Sequence, residues 1–342
     1  MATSHTAVTS AQIQLVRRPI GWPTAADFDT VRVDLPELAP GQIRVANAFI
    51  SVDPYMRGRM NDAKSYAAPY ALGETMTGGA VGRVVQSSAE AFNVGDVVVH
   101  QFGWRDLVQE DSSHFRVVPE LPDMPLSAYL GVLGMTALTA YVGLLEIAQF
   151  KAGDTVFVSG AAGAVGSIVG QIARLKGAQR VIGSAGSSDK VALLTDKYNF
   201  DAAFNYKHGE IAEQLAAAAP DGIDVYFDNV GGDHLEAALA SFNDGGRAAL
   251  CGAISGYNNA VATAGPRNMM NIIGRGLTLT GFIVGHYVEH FPAFSADMTD
   301  WLVAGEVVFD ETVVEGIDHA VDAFLGLMRG ENTGKMVVSM HA

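Results

Sequence analysis

The chain has 342 residues, 49% of them hydrophobic and 17% charged, with 22 Lys and Arg against 37 Asp and Glu, a net charge of −15. That composition excludes a disordered chain and makes a nucleic-acid backbone a poor partner, because many phosphates would need neutralising. The single cysteine, Cys251, excludes an internal disulfide and a zinc site of several thiolates.

Length alone predicts roughly two domains. Met1 to Ser10 is polar and small, without the apolar core of a secretory signal. From 11 to 120 the pattern is strands and turns. Ile13 to Arg17, Val31 to Leu35, Ile43 to Ser51, Ala80 to Val85 and Val97 to Val99 are short, Val- and Ile-rich and separated by Pro and Gly. Met124 to Leu145 is uncharged and long enough to span a bilayer. Its Gly, Thr and Tyr content, and its acidic flanks Asp123 and Glu146, predict buried helices instead, with no membrane partner. Beyond 155, strands alternate with helices. Strands are expected at Thr155 to Ser159, Arg180 to Ser184, Ala202 to Asn205, Ile223 to Asp228, Arg247 to Cys251 and Leu277 to Val284. This spacing predicts a doubly wound parallel sheet of about six strands. A helix near 317 to 329 and a strand near 335 to 339 close the chain.

The first of these strands runs into Gly160-Ala161-Ala162-Gly163-Ala164-Val165-Gly166, after which a helix begins. The turn fits a dinucleotide fingerprint with Ala161 in place of the first glycine. Gly163 lets backbone approach a pyrophosphate, Gly166 lets helix and strand pack closely, and the helix N-terminus favours an anion. A packing turn for some other ligand is the alternative. The end of the second strand, Gly183-Ser184, lacks the acid that usually holds the ribose of NAD. Ser187, Ser188 and Lys190 follow, which suits the 2′-phosphate of NADP, although the serines also suit helix capping and the lysine a solvated surface.

His286-Tyr287-Val288-Glu289-His290 matches the H-x-x-E-H pattern of some zinc peptidases. It follows an expected strand, has no helix start before it and no third ligand, so no metal is expected. Cys251 ends an apolar run and reads as a small core residue. No G-x-S-x-G elbow is present.

Several longer segments carry a family likeness: Val52-Asp53-Pro54-Tyr55-Met56-Arg57-Gly58-Arg59-Met60, the glycine-rich run 78–85, Gly134-Met135-Thr136-Ala137, Phe227-Asp228-Asn229-Val230-Gly231-Gly232, the run 251–258 and Asn332-x-Gly334-Lys335. Together with the fingerprint, they make the chain resemble the medium-chain dehydrogenase/reductase superfamily. Within it, the chain resembles the zinc-independent leukotriene 12-hydroxydehydrogenase/prostaglandin reductase group, with its 2-alkenal double-bond and curcumin reductases. Zinc alcohol dehydrogenases carry Gly-His-Glu where this chain has Gly73-Glu74.

The resemblance implies a GroES-like barrel domain over 1–128 and 306–342 and a Rossmann domain over 129–305. It implies NADPH/NADP as cofactor, a small enone or alkenal substrate, a cytoplasmic location and a homodimer, with the strand 277–284 as a candidate seam. Gly163, Ala164, Val165 and Gly166 would hold the pyrophosphate, and Lys190 and Tyr206 the 2′-phosphate. Asn229, Cys251, Ser255, Tyr257, Phe282, Val284 and Asn332 would line the rest of the cofactor, with Met135 and Thr136 by the nicotinamide. Taken singly, Tyr206 also suits an ordinary strand end, Asn229 a helix cap and Asn332 a turn. Tyr257 is expected to bind the substrate carbonyl, Tyr55 to act as pocket wall or proton path, and Tyr66 is a third candidate. Trp22 and Trp104 are further candidates for an aromatic pocket.

The implied reaction adds hydride to the β-carbon of an α,β-unsaturated aldehyde or ketone while a tyrosine stabilises the enolate. Quinone or carbonyl reduction on the same scaffold, and a non-catalytic NADPH-binding protein, remain alternatives.

Overall fold

Val8–Leu15 (β1) and Phe28–Leu35 (β2) pair antiparallel, Val8 opposite Leu35 and Leu15 opposite Phe28. The computed structural model describes residues 8–261 and 263–340; the leader reading of Met1 to Ser10 therefore lies mostly outside the described residues. The chain divides into two units. The first holds residues through Leu130, Thr312–Glu331 and the segment from Met336; the second holds Gly131–Glu311 and Asn332–Lys335.

In the first unit Gln42–Ser51 (β3) is the hub. A short helix, Tyr55–Arg59 (α1), follows it, and Ala80–Ser87 (β4), Val97–His100 (β5), Leu107–Asp111 (β6) and Arg116–Val117 (β7) complete the N-terminal strands. β3 pairs with β4 along one edge and with β6 along the other. β6 and β7 were not foreseen: one is half-polar and the other has two residues, too little for an alternation signal. Ile43, Val45, Val84, Val98 and Val108 pack as a core.

The second unit opens with Met135–Val142 (α2), which runs into a π turn at Gly143–Ile147. No helix among the described residues is long and apolar enough to cross a membrane. Strand and helix then alternate: Thr155–Val158 (β8), Gly166–Leu175 (α3), Arg180–Ala185 (β9), Ser188–Asp196 (α4), Ala202–Asn205 (β10), Ile211–Ala218 (α5), Ile223–Asp228 (β11), Gly232–Ser241 (α6), Phe242–Leu250 (β12), Met270–Gly274 (α7), Thr278–Gly281 (β13) and Phe291–Val303 (α8). The six strands form a parallel sheet in the order β10, β9, β8, β11, β12, β13. All four residues of β8 are buried, as expected of a strand covered on both faces.

Three boundaries correct the sequence reading. The helix expected from Ala164 starts at Gly166, which leaves Ala164 and Val165 in the turn. The strand expected to reach Val284 stops at Gly281, so Phe282 and Val284 lie on the loop beyond it. α8 was not foreseen; its Pro292 stands in the first turn, where proline is tolerated.

Glu311–Glu315 (β14), Ala320–Met328 (α9) and Lys335–Ser339 (β15) complete the chain. β15 pairs with β3, and β14 lies outside it in a seven-stranded sheet.

Candidate functional site

In the parallel sheet the order reverses between β8 and β11. Loops leaving the carboxyl ends of two such strands part in opposite directions, and a crevice opens between them. The two loops are tied at its floor: the Asn229 backbone N–H donates to Ser159 Oγ at 3.0 Å, and Asn229 Nδ2 donates to Ser159 O at 2.8 Å. The cap of α6 is Gly231, so the capping alternative for Asn229 falls away.

The turn after β8 carries the glycines. Gly163 N–H bonds Gly160 O, and Ser167 N–H bonds Gly163 O, each at 3.1 Å. The amides of Ala164 and Val165 precede the ten-residue α3, whose N-terminal N–H groups and helix dipole favour an anion. A Cβ on Gly166 would lie 2.6 Å from Gly160 O and 2.7 Å from Ala161 Cα. Only glycine allows that approach. A second segment closes on the turn: Gly334 bridges Gly163, and its N–H bonds Ala162 O at 2.9 Å. Buried Asn332 donates to Gly334 O at 2.8 Å and shapes this segment.

After β9, the Ser187 side chain accepts the Lys190 N–H at 3.3 Å and caps α4. Burial, and then the charge of Lys207, hold the Lys190 ammonium below the usual lysine value. Tyr206 follows β10, and its hydroxyl stands over Gly186, where an added Cβ would meet it at 2.9 Å. Lys207 Nζ lies 5.8 Å from the Tyr206 ring centroid. Two lysines and a phenol around a glycine, at a strand end without a carboxylate, form a donor set suited to a phosphate dianion.

After β11, Asp228 Oδ1 gathers four donors: Ser159 Oγ at 3.1 Å, Tyr226 OH at 2.7 Å, Val230 N–H at 2.9 Å and Gly231 N–H at 2.7 Å. Sequence reading passed over Ser159, Tyr226 and Asp228, which together brace Asn229. The loop after β12 is held to them, with Cys251 and Gly252 N–H bonding Asp228 O at 2.9 and 3.0 Å. Ser255 Oγ donates to Val230 O at 2.6 Å. The Tyr257 hydroxyl accepts the Ala253 N–H. Burial raises the Tyr257 phenol above its ordinary value; the Ala253 N–H pulls it down, and Cys251 and Asp228 push it up. Burial lifts the Cys251 thiol to about 12, so at neutral pH it lines the loop as a thiol rather than a nucleophile.

Phe282 packs edge-on against Phe227 with centroids 6.4 Å apart, and Val284 opens a turn. At the start of α2, Met135 is exposed, while Thr136 is buried and donates to Gly131 O at 2.9 Å. His286 and His290 sit in two short turns before α8, not on a helix, and among the described residues no three His, Cys, Asp or Glu are placed to hold a metal.

In the first unit Tyr55 opens α1. Burial and then Asp53 raise its phenol well above the ordinary value, and Arg59 opposes them. The Arg59 guanidinium lies 4.1 Å from the centroid of the Tyr70 ring, and Tyr70 OH donates to Thr77 O at 2.8 Å. Tyr66 and Trp22 are exposed. Trp104 must be withdrawn from the candidate pocket: it is fully buried, edge-on to Phe324.

Residues 11–118 match the family described as the N-terminal domain of oxidoreductase, and 164–302 match the family described as zinc-binding dehydrogenase. A putative NADP-dependent oxidoreductase of Bacillus subtilis, YfmJ, is 46% identical over 332 residues, 96% of this chain and 97% of its own. The NADP-dependent 2-alkenal reductase of Nicotiana tabacum is 40% identical, with 97% of each chain covered. The crystal structure of CurA from Vibrio vulnificus in complex with NADPH superposes with a TM-score of 0.92 at 43% identity, over 97% of this chain and 99% of that one.

Proposed function

The chain belongs to the zinc-independent medium-chain dehydrogenase/reductase superfamily, and from that premise we propose that it reduces the C=C bond of α,β-unsaturated aldehydes and ketones. It is an NADP-dependent oxidoreductase acting on carbon–carbon double bonds. The observation that carries the cofactor assignment is the crest of the parallel sheet. The glycine turn and the N-terminus of α3 suit the pyrophosphate, and Lys190, Tyr206 and Lys207 suit the 2′-phosphate. In this reading Asn229, Cys251, Ser255, Phe282, Val284 and Asn332 line the cofactor, and Met135 and Thr136 face the nicotinamide. The second unit then holds the cofactor.

NADPH, when bound, supplies the hydride for the β-carbon of the substrate. The chain's residues hold the partners and handle the charge that follows. Tyr257 accepts a backbone N–H and so keeps its own proton to donate. With its phenol raised, it is protonated at neutral pH, and it donates to the carbonyl oxygen as enolate charge builds there. Tyr55, also held protonated, walls the substrate or passes a proton toward the α-carbon. The enzyme is read as a cytoplasmic homodimer joined along β13, one of the two edge strands of the sheet.

The test is NADPH consumption with a trans-2-alkenal, NADH in parallel and the product identified. A saturated aldehyde, with NADH poor, supports the reading. Turnover of quinones alone would move the activity to the quinone reductase alternative, and tight NADPH binding without turnover of either would make the chain a binder.

A further inference from the structure

His234 lies in the first turn of α6 and is 3% exposed. Its ring meets the Tyr206 ring edge to face, with centroids 5.1 Å apart and planes at 75°. Its Nε2 is buried and, among the described residues, has no hydrogen-bond partner. An unpaired buried ring nitrogen costs free energy, and an apolar side chain would fill the same place without that cost. What the imidazole does supply is a flat, rigid edge against Tyr206, whose hydroxyl reaches over Gly186 at the end of β9.

We propose that His234 is a positioning residue for cofactor selection: it fixes the Tyr206 ring so that the hydroxyl addresses the 2′-phosphate of NADPH. The proposal rests on the cofactor reading above and goes beyond it, to a residue behind the site. Burial lowers the His234 imidazole to about 4, so it is neutral at physiological pH and adds no third cation beside Lys190 and Lys207. Its contribution is shape. Tyr206 comes from the end of β10 and His234 from the start of α6, so their contact couples cofactor preference to the seating of α6 on the sheet.

The experiment measures Kd for NADPH and for NADH, by nucleotide fluorescence, in the unaltered protein, in His234→Ala and in His234→Phe, with the same substitutions repeated on Tyr206→Phe. His234→Ala is expected to weaken NADPH about fivefold to tenfold, the scale of one misplaced charge-assisted hydrogen bond, and to leave NADH within about twofold. His234→Phe restores the ring edge and recovers NADPH affinity. On Tyr206→Phe, the alanine change adds nothing, because the hydroxyl it positions is gone. Equal losses for both nucleotides, or a loss that persists on Tyr206→Phe, overturn the proposal. His234→Leu replaces the alanine variant if that one does not fold. Lys190→Ala in the same assay tests the underlying reading by itself: if it leaves the preference for NADPH intact, the 2′-phosphate site is elsewhere and the failure is not that of His234.

Discussion

The Tyr257 hydroxyl accepts the Ala253 backbone N–H at 3.3 Å, four residues back along the same loop. An oxygen already accepting from the backbone has its own hydrogen free to point outward. Tyr257→Phe removes that donor but keeps the ring. The expected result is a kcat lower by roughly 10- to 100-fold with an alkenal, at or somewhat below the loss typical of an oxyanion-hole donor. Because the phenol is raised, kcat in the unaltered enzyme should stay flat from neutral pH to beyond the ordinary tyrosine value of 10.0. Unchanged kcat and kcat/KM in Tyr257→Phe would remove this residue from the mechanism.

Lys190→Ala takes one of two lysines from the Gly186 crest. We expect KM for NADPH to rise about tenfold or more, as for loss of a charge-assisted phosphate contact, while KM for NADH barely moves. The contrast between the two nucleotides is the readout, since a general disturbance of α4 would raise both.

Gly334 has φ +61°, and a Cβ on it would lie 1.9 Å from Asp310 O. Backbone meets backbone there, so no side chain can yield. Gly245 also has positive φ, +73°, but among the described residues nothing lies within 4 Å of its Cβ position. Gly245→Ala should cost only the left-handed strain, about 1 to 2 kcal/mol. Gly334→Ala should cost clearly more, and should weaken NADPH binding too, because Gly334 braces the glycine turn through Gly163. Thermal denaturation of the two variants side by side gives the comparison; equal shifts in Tm would contradict the packing argument.

His100 is buried in the first unit and serves as a fixed tautomer. Nε2 meets Asn47 Oδ1 at 2.9 Å, and Nδ1 accepts the Phe102 N–H at 3.1 Å. A proton on Nδ1 would set N–H against N–H. Burial, with the nearby Arg105 charge, lowers the imidazole from 6.5 to about 3. The unfolded chain therefore binds this proton first. The stability His100 gives is complete above about pH 6.5 and falls as pH drops from there toward 3. His100→Gln should be less stable than the unaltered protein at pH 7, and the gap should narrow on acidification. A gap of constant size between pH 7 and 4 would show that His100 does not carry the acid sensitivity.

Much of the second unit was legible in the sequence, because its signals are local. The buried strand β8, the glycine turn and the start of α3 follow one another without interruption, and each limits the next. The missing acid at the end of β9 was equally readable. What escaped depends on residues that meet only in the fold. Tyr226 and Asp228 come from β11 and Ser159 from the turn after β8, and all three are ordinary in the sequence; their meaning is the hydrogen-bond network under Asn229. His234 stands two residues beyond the run that ends at Gly232, and its partner Tyr206 lies across α5 and β11. Trp104 misled in the opposite direction, since a large aromatic suits a pocket and a core equally until its exposure is known.

The most direct test of the central claim is where deuterium goes. NADPH carrying deuterium at the transferable position is incubated with the enzyme and a trans-2-alkenal, and the product is examined by mass spectrometry and NMR. The account predicts a saturated aldehyde with deuterium on the β-carbon and a solvent-derived proton on the α-carbon. Deuterium on the carbonyl carbon of an allylic alcohol would contradict it, and would make the protein a carbonyl reductase on the same scaffold.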